Sequence, residues 1–231
     1  MERTNAYSLL DFLDNSPCNF FATATIQRHL DDNGFHELKQ SERWNLEKGG
    51  KYYVKKNDTA IFGFVIGETP LDQSGFNMIS AHSDSPCFRI KPNPEMLADG
   101  VLKLNTEVYG GPILYTWFDR PLSLAGRVIV RNPQNPARPI TKLIDFASPV
   151  LIIPHLAIHF NRNVNAGNPL SKQKDMLPIA AIVSDSMSKN DFLIDQIKER
   201  LEIDDSKDIL EFDLMLYNCQ TSQLVGVNKE F

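Results

Sequence analysis

Two apolar runs in the first third of the chain, Ala60 to Ile66 and Phe76 to Ala81, constrain its fold more than any other feature. Apolar side chains occupy nearly every position, the pattern of strands covered on both faces. Lys51 to Lys55 reads as a third strand. Ahead of them, Ser16-Pro17 before Cys18 to Asp32 has the layout of an N-cap followed by Pro at the first helical position, with Asn33-Gly34 as the stop. Ala22, Ile26 and Leu30 recur every four residues and predict one core-facing stripe. Strands mixed with helix in this way predict an α/β layer arrangement for residues 1–91.

Beyond residue 91 the pattern changes. Prolines cluster at Pro92-Asn93-Pro94 and from Pro133 to Pro139, around the short extended runs Val101 to Thr106 and Gly126 to Arg131. Proline cannot donate to a sheet ladder and is confined to edges, bulges and turns. The segment therefore predicts a small β-rich unit with exposed loops. From Pro154 the sequence turns helical, and Asn190-Asp191 can cap a helix in which Leu193, Ile197 and Leu201 share a face. Glu211 to Tyr217 alternates like a strand. The expected plan is an α/β domain over residues 1–91, a β-rich domain inserted over 92–210, and a return strand to the first domain in 211–231.

Composition removes several classes of function. A formal charge of −5 gives no general attraction to nucleic acid or to an anionic membrane. No apolar stretch approaches the roughly 20 residues that span a bilayer. Met1-Glu2-Arg3-Thr4-Asn5 lacks the basic-then-apolar layout of a secretory signal. Cys18, Cys87 and Cys219 are an odd, widely spaced set that suits reduced thiols. A cytoplasmic protein is expected.

The residues with chemistry follow the second apolar run: His82-Ser83-Asp84-Ser85-Pro86. A strand end is a rigid platform, and His-x-Asp upon it lets an imidazole bind a metal while the carboxylate orients a ligand from behind. Asp84 capping a strand-to-loop corner is the plainer alternative. His155, following Pro154, suits either a buried hydrogen-bonded role or a functional one, whereas His159, His29 and His36 read as structural. Gly110-Gly111 opens no helix of phosphate-binding spacing and instead permits a tight turn before Trp117. Trp117 and Phe118 read as core residues of the second domain, and Asp119-Arg120 as a structural ion pair, with part of a subunit contact as the alternative.

Several stretches together resemble one family. They are His82-Ser83-Asp84-Ser85-Pro86-Cys87, Tyr109-Gly110-Gly111, Thr116-Trp117-Phe118-Asp119-Arg120, Leu124-Ala125-Gly126-Arg127-Val128, Ile153-Pro154-His155-Leu156-Ala157-Ile158-His159 and Leu177-Pro178-Ile179. In this order and spacing the chain resembles the aspartyl aminopeptidases, metallopeptidases with two zinc ions per active site. Pro121 departs from the family pattern, which has an acidic residue after Asp-Arg.

The resemblance implies that His82 ligates zinc, that Asp84 fixes its geometry, and that His155 reaches from the inserted domain toward a dimer partner's active site. There it would help to bind substrate or stabilise a developing oxyanion. It further implies a peptide substrate with an N-terminal Asp or Glu and a homodimer formed through the insert. The family's bridging Asp, its Glu pair, a further Asp and a final His all fall beyond the stretch matching Gly226 to Phe231. Of the metal ligands only His82 remains, so a truncated catalytic domain, inactive by itself, is expected. Two rivals stand beside it: a non-catalytic dimerisation fragment, and a one-metal hydrolase using His82, Asp84 and His155.

Overall fold

Tyr52, Tyr53 and Val54 are buried in the middle of strand β2 (Lys51–Lys56), which sits between β1 (His36–Glu37), parallel to it, and β3 (Ala60–Val65), antiparallel. The β2–β3 turn runs through Asn57 and Asp58 at φ 53° and 57°, a left-handed pair that Asn and Asp tolerate. In this computed structural model, which describes residues 3–183 and 190–231, the sheet belongs to the first of two compact units, Met1–Ser85 with Ser222–Phe231; the second is Pro86–Thr221.

Two helices precede the small sheet. α1 (Thr4–Asp14) has no counterpart among the sequence expectations, and it buries no residue. α2 (Asn19–Asp32) begins later than Ser16-Pro17 predicts, capped at Cys18, and buries Phe20, Ala22, Thr23 and Thr25. Ile26 and Leu30 of the predicted stripe are half-buried. Leu30 nevertheless meets β3 closely, since a Cβ on Gly63 would lie 3.3 Å from its Cδ2. Tyr53 fastens the layers: its hydroxyl donates to Asp31 Oδ1 at 2.9 Å and accepts from Gln27 Nε2 at 3.1 Å. A single-turn helix, α3 (Leu71–Ser74), follows β3.

The predicted strand Phe76 to Ala81 does not form. The segment carries no ladder, and Phe76, Met78 and Ile79 are exposed, Ile79 fully. An apolar run becomes a strand only where a neighbouring edge receives its N–H and C=O groups, and the described sheet of this unit ends at β3.

The second unit is a six-stranded, wholly antiparallel sheet in the order β7-β6-β9-β4-β5-β8. Its members are β4 (Cys87–Ala98), β5 (Val101–Tyr109), β6 (Leu122–Val130), β7 (Ile140–Asp145), β8 (Ile179–Ile182) and β9 (Ile209–Asn218). β4 accommodates Pro92 and Pro94 because its register against β5 breaks between Ile90 and Glu95, so the prolines sit where no ladder bond is required. Asp99-Gly100, both at positive φ, close the β4–β5 hairpin.

α4 (Phe192–Leu201), capped at Asp191 as expected, lays the fully buried Leu193 and Ile197 on a core that includes Phe88, Leu104, Leu124 and Leu214. Trp117 and Phe118 pack against the same core, Trp117 edge-on to Phe88 at 4.9 Å between centroids. Between Pro154 and Val183 the chain is helical only in a short 3-10 turn at Val164–Ala166.

The strand over 211–217 forms, but between β6 and β4 rather than as a return to the first unit. Its alternating apolar residues Leu214 and Leu216 face the core of the second sheet, and the chain re-enters the first unit only at Ser222. Among the described residues no helix is long and apolar enough to cross a membrane.

Candidate functional site

His82 and Asp84 are brought together. His82 Nδ1 lies 3.0 Å from Asp84 Oδ1, while the ring as a whole is 91% exposed and the carboxylate 33%. A carboxylate on Nδ1 favours the tautomer with its proton there, which leaves the Nε2 lone pair facing outward. That is the arrangement in which an imidazole serves as a metal ligand, backed by an acid that fixes its orientation. Because Phe76 to Ala81 forms no strand, the platform is different from the expected one. Ser83 Oγ donates to the Thr59 carbonyl at 2.6 Å, which pins the His-x-Asp corner to the β2–β3 turn.

The imidazole and its carboxylate fit zinc as one ligand with its support. They do not make a complete centre: among the described residues no three of His, Cys, Asp and Glu cluster to hold an ion.

His155 lies in the second unit. Ile153, fully buried, is bridged to Phe118, and the flanking Ile152 exchanges backbone hydrogen bonds with Ile179. His155 leaves this stitched segment half-buried, with its ring edge-on to Phe118 at 4.6 Å and tilted against Tyr115 at 6.3 Å. Its Nδ1 contacts the Leu156 carbonyl at 2.8 Å, and its backbone N–H donates to Asp119 Oδ1 at 3.0 Å. An open cavity of about 350 Å³ adjoins the ring, floored by Phe118, Leu170 and Ile179 and edged by Lys103 and Lys174.

Asp119 and Arg120 do not form the expected ion pair. Arg120 Nε donates instead to the Thr116 carbonyl at 2.7 Å, and Asp119 turns to His155. Sequence reasoning missed this use of Asp119, because a separation of 36 residues leaves no local signal of the contact. His159 is exposed in a turn. Gly110, at φ 71°, forms a bend in the left-handed region that favours glycine.

Comparison with known proteins agrees with the motifs. The family described as aminopeptidase I zinc metalloprotease (M18) matches residues 12–231. A probable M18 family aminopeptidase 2 of Clostridium novyi (strain NT) is 51% identical over 227 residues, 98% of this chain and 52% of that protein. The chain thus spans about half the length of the curated relatives it matches.

Among solved structures, a chain of the cryo-EM structure of the Ape4 and Nbr1 complex matches with a TM-score of 0.89 at 31% identity, covering 97% of this chain and 46% of that one. Chaetomium thermophilum mApe1 matches at 0.85 and 30%, covering 99% and 53%. With its fold, its motif order and its relatives in accord, the chain belongs to the M18 family of zinc metallo-aminopeptidases.

Proposed function

We propose that this chain supplies the first zinc ligand and the inserted domain of an aminopeptidase that removes N-terminal Asp or Glu from peptides. The observation that carries the reading is the His82–Asp84 pair, with its Nδ1 held at 3.0 Å and its opposite nitrogen turned to solvent. In the complete site His82 Nε2 binds one of two zinc ions, and Asp84 keeps the ring in the ligating tautomer. Zinc in such a site acidifies a water molecule and polarises the scissile carbonyl.

The remaining ligands and the general base come from residues outside this chain, in keeping with its half-length match to relatives and with the lack of a three-ligand group among the described residues. His155 acts across a homodimer formed through the second unit, donating to or orienting the peptide in the partner's site. The setting is cytoplasmic.

The test has two arms. The 231-residue chain alone is assayed for zinc content and for hydrolysis of chromogenic N-terminal Asp, Glu, Leu and Lys substrates. The same assays are made with the remaining half of the family sequence fused or co-expressed. Expected are near-zero tight zinc and no hydrolysis by the chain alone, and zinc-dependent cleavage of Asp and Glu substrates, lost in His82→Ala, by the completed protein. Zinc-dependent hydrolysis by the isolated chain, or preference for Leu or Lys in the completed one, would sink the reading.

A further inference from the structure

We propose that Asp119 is a positioning residue for His155, holding it so that Nε2 is the nitrogen presented outward. The inference deepens the role given above to His155 and rests on it for its functional meaning, though not for its structural test. Asp119 engages the segment that carries His155 twice. Its backbone N–H donates to the Ile153 carbonyl at 2.9 Å, and its Oδ1 accepts from the His155 N–H at 3.0 Å. The two bonds span Ile153 to His155 and fix the direction in which the chain leaves the buried core.

Asp119 adopts φ 55° to do so. The left-handed region costs a non-glycine residue about 1 kcal/mol, and Asp and Asn are among the few that visit it, because their side chains bond nearby backbone. The ring inherits the constraint. Nδ1 meets the next residue's carbonyl, that of Leu156, at 2.8 Å, while Phe118 abuts the ring at 4.6 Å and 80°. A carbonyl can only accept, so Nδ1 carries the proton, and Nε2 is left as the acceptor of a neutral ring. An imidazole fixed in this way offers one defined nitrogen to a ligand, where a mobile side chain would offer either.

Two substitutions separate positioning from simple folding. Asp119→Asn keeps an oxygen acceptor and tolerates positive φ. Asp119→Gly adopts the same φ without strain and removes the acceptor. The ring nitrogens of His155 are read in the 231-residue chain by long-range 1H–15N NMR above neutral pH, assigned with His155→Gln. Expected is a protonated Nδ1 and a far-downfield, unprotonated Nε2 in the natural chain and in Asp119→Asn. In Asp119→Gly the separation collapses toward that of freely exchanging tautomers, while the far-UV circular dichroism stays unchanged. A proton on Nε2 in the natural chain, or an unaltered pattern in Asp119→Gly, overturns the proposal. Steady-state kinetics of the completed peptidase then test the function of His155 separately. His155→Ala is expected to raise KM or lower kcat at unchanged zinc content. If it does neither, the role of His155 falls while the NMR result for Asp119 stands.

Discussion

Replacing Gly126 by Ala should disrupt the second unit's sheet at its centre. Gly126 lies in β6 opposite Leu214 of β9 on one side and Ile144 of β7 on the other. A Cβ built there would stand 2.0 Å from the Asp213 carbonyl oxygen and 3.0 Å from both the Asp213 carbonyl carbon and Leu214 Cα. All three are backbone atoms, so no rotamer change relieves the clash. Comfortable carbon–oxygen contact begins near about 3.3 Å, so β6 and β9 must part by roughly 1 Å at their closest approach.

That movement carries Asp213 away from Arg127 of β6, whose Nη2 lies 4.0 Å from its Oδ2, while Arg89 of β4 binds it from the other side of β9. It also loosens Leu214 and Leu216, both fully buried. Overpacking alone costs about 1–3 kcal/mol, and a partly exposed ion pair adds up to about 1 kcal/mol. The expected loss is therefore about 3 kcal/mol, or roughly 10 °C in Tm for a unit of this size. Gly111→Ala is the control, because nothing lies within 4 Å of the place its Cβ would take, and it should fall within about 0.5 kcal/mol of the natural chain. Urea and thermal melts followed by circular dichroism decide the matter. A Gly126→Ala chain within about 1 kcal/mol of its parent, below the overpacking range, would show that the strands part easily and that the reasoning is wrong.

Three further outcomes are expected. Glu95 Oε1 in β4 accepts from the Leu193 N–H at 3.0 Å and so caps α4 from a neighbouring strand. Glu95→Ala should cost about 1 kcal/mol in urea unfolding, with Glu95→Gln retaining most of it. The Tyr53 hydroxyl is raised to about 12 by burial and by its hydrogen bond to Asp31. Its contribution to stability is thus complete below about pH 10 and is lost as pH climbs from there through about 12, because the unfolded chain releases that proton first. Tyr53→Phe should flatten the fall measured between about pH 10 and 12. In the completed, zinc-loaded peptidase, Asp84→Ala should weaken zinc binding by about 10–100-fold in a chelator competition, through loss of the Nδ1 partner.

Much of the second unit is legible in residue patterns, and the parts that are not share one cause. Leu193 and Ile197 announce α4, and the alternation around Leu214 and Leu216 announces β9, since each has one face in the core. β4 is hidden by Pro92 and Pro94, which look like loop residues until the register break against β5 is known. The turn signal Asp99-Gly100 is present to betray the hairpin. The home of β9 is equally hidden, because alternation states that a strand has a buried face but not which sheet provides it. Pairing partners are long-range facts, and local periodicity carries none of them.

The same limit explains the site. His-x-Asp is legible as a motif, and a spacing of two allows the 3.0 Å contact between His82 and Asp84. Its support is not legible, because Phe76 to Ala81 has the apolar density of a buried strand yet leaves Ile79 wholly exposed beside a three-stranded sheet. A strand-like sequence without a strand's partners places its apolar side chains in water at a cost of about 25 cal/mol for each Å². The segment leading to His82 is thus a part of the first unit whose sequence and surroundings disagree. If the half that completes the proposed zinc site also brings an edge or a face to that segment, zinc binding and burial of Phe76, Met78 and Ile79 should come together. Hydrogen exchange measured across 76–82, with and without the completing half and zinc, checks the coupling: protection gained in that segment without any gain in zinc affinity would separate the two events.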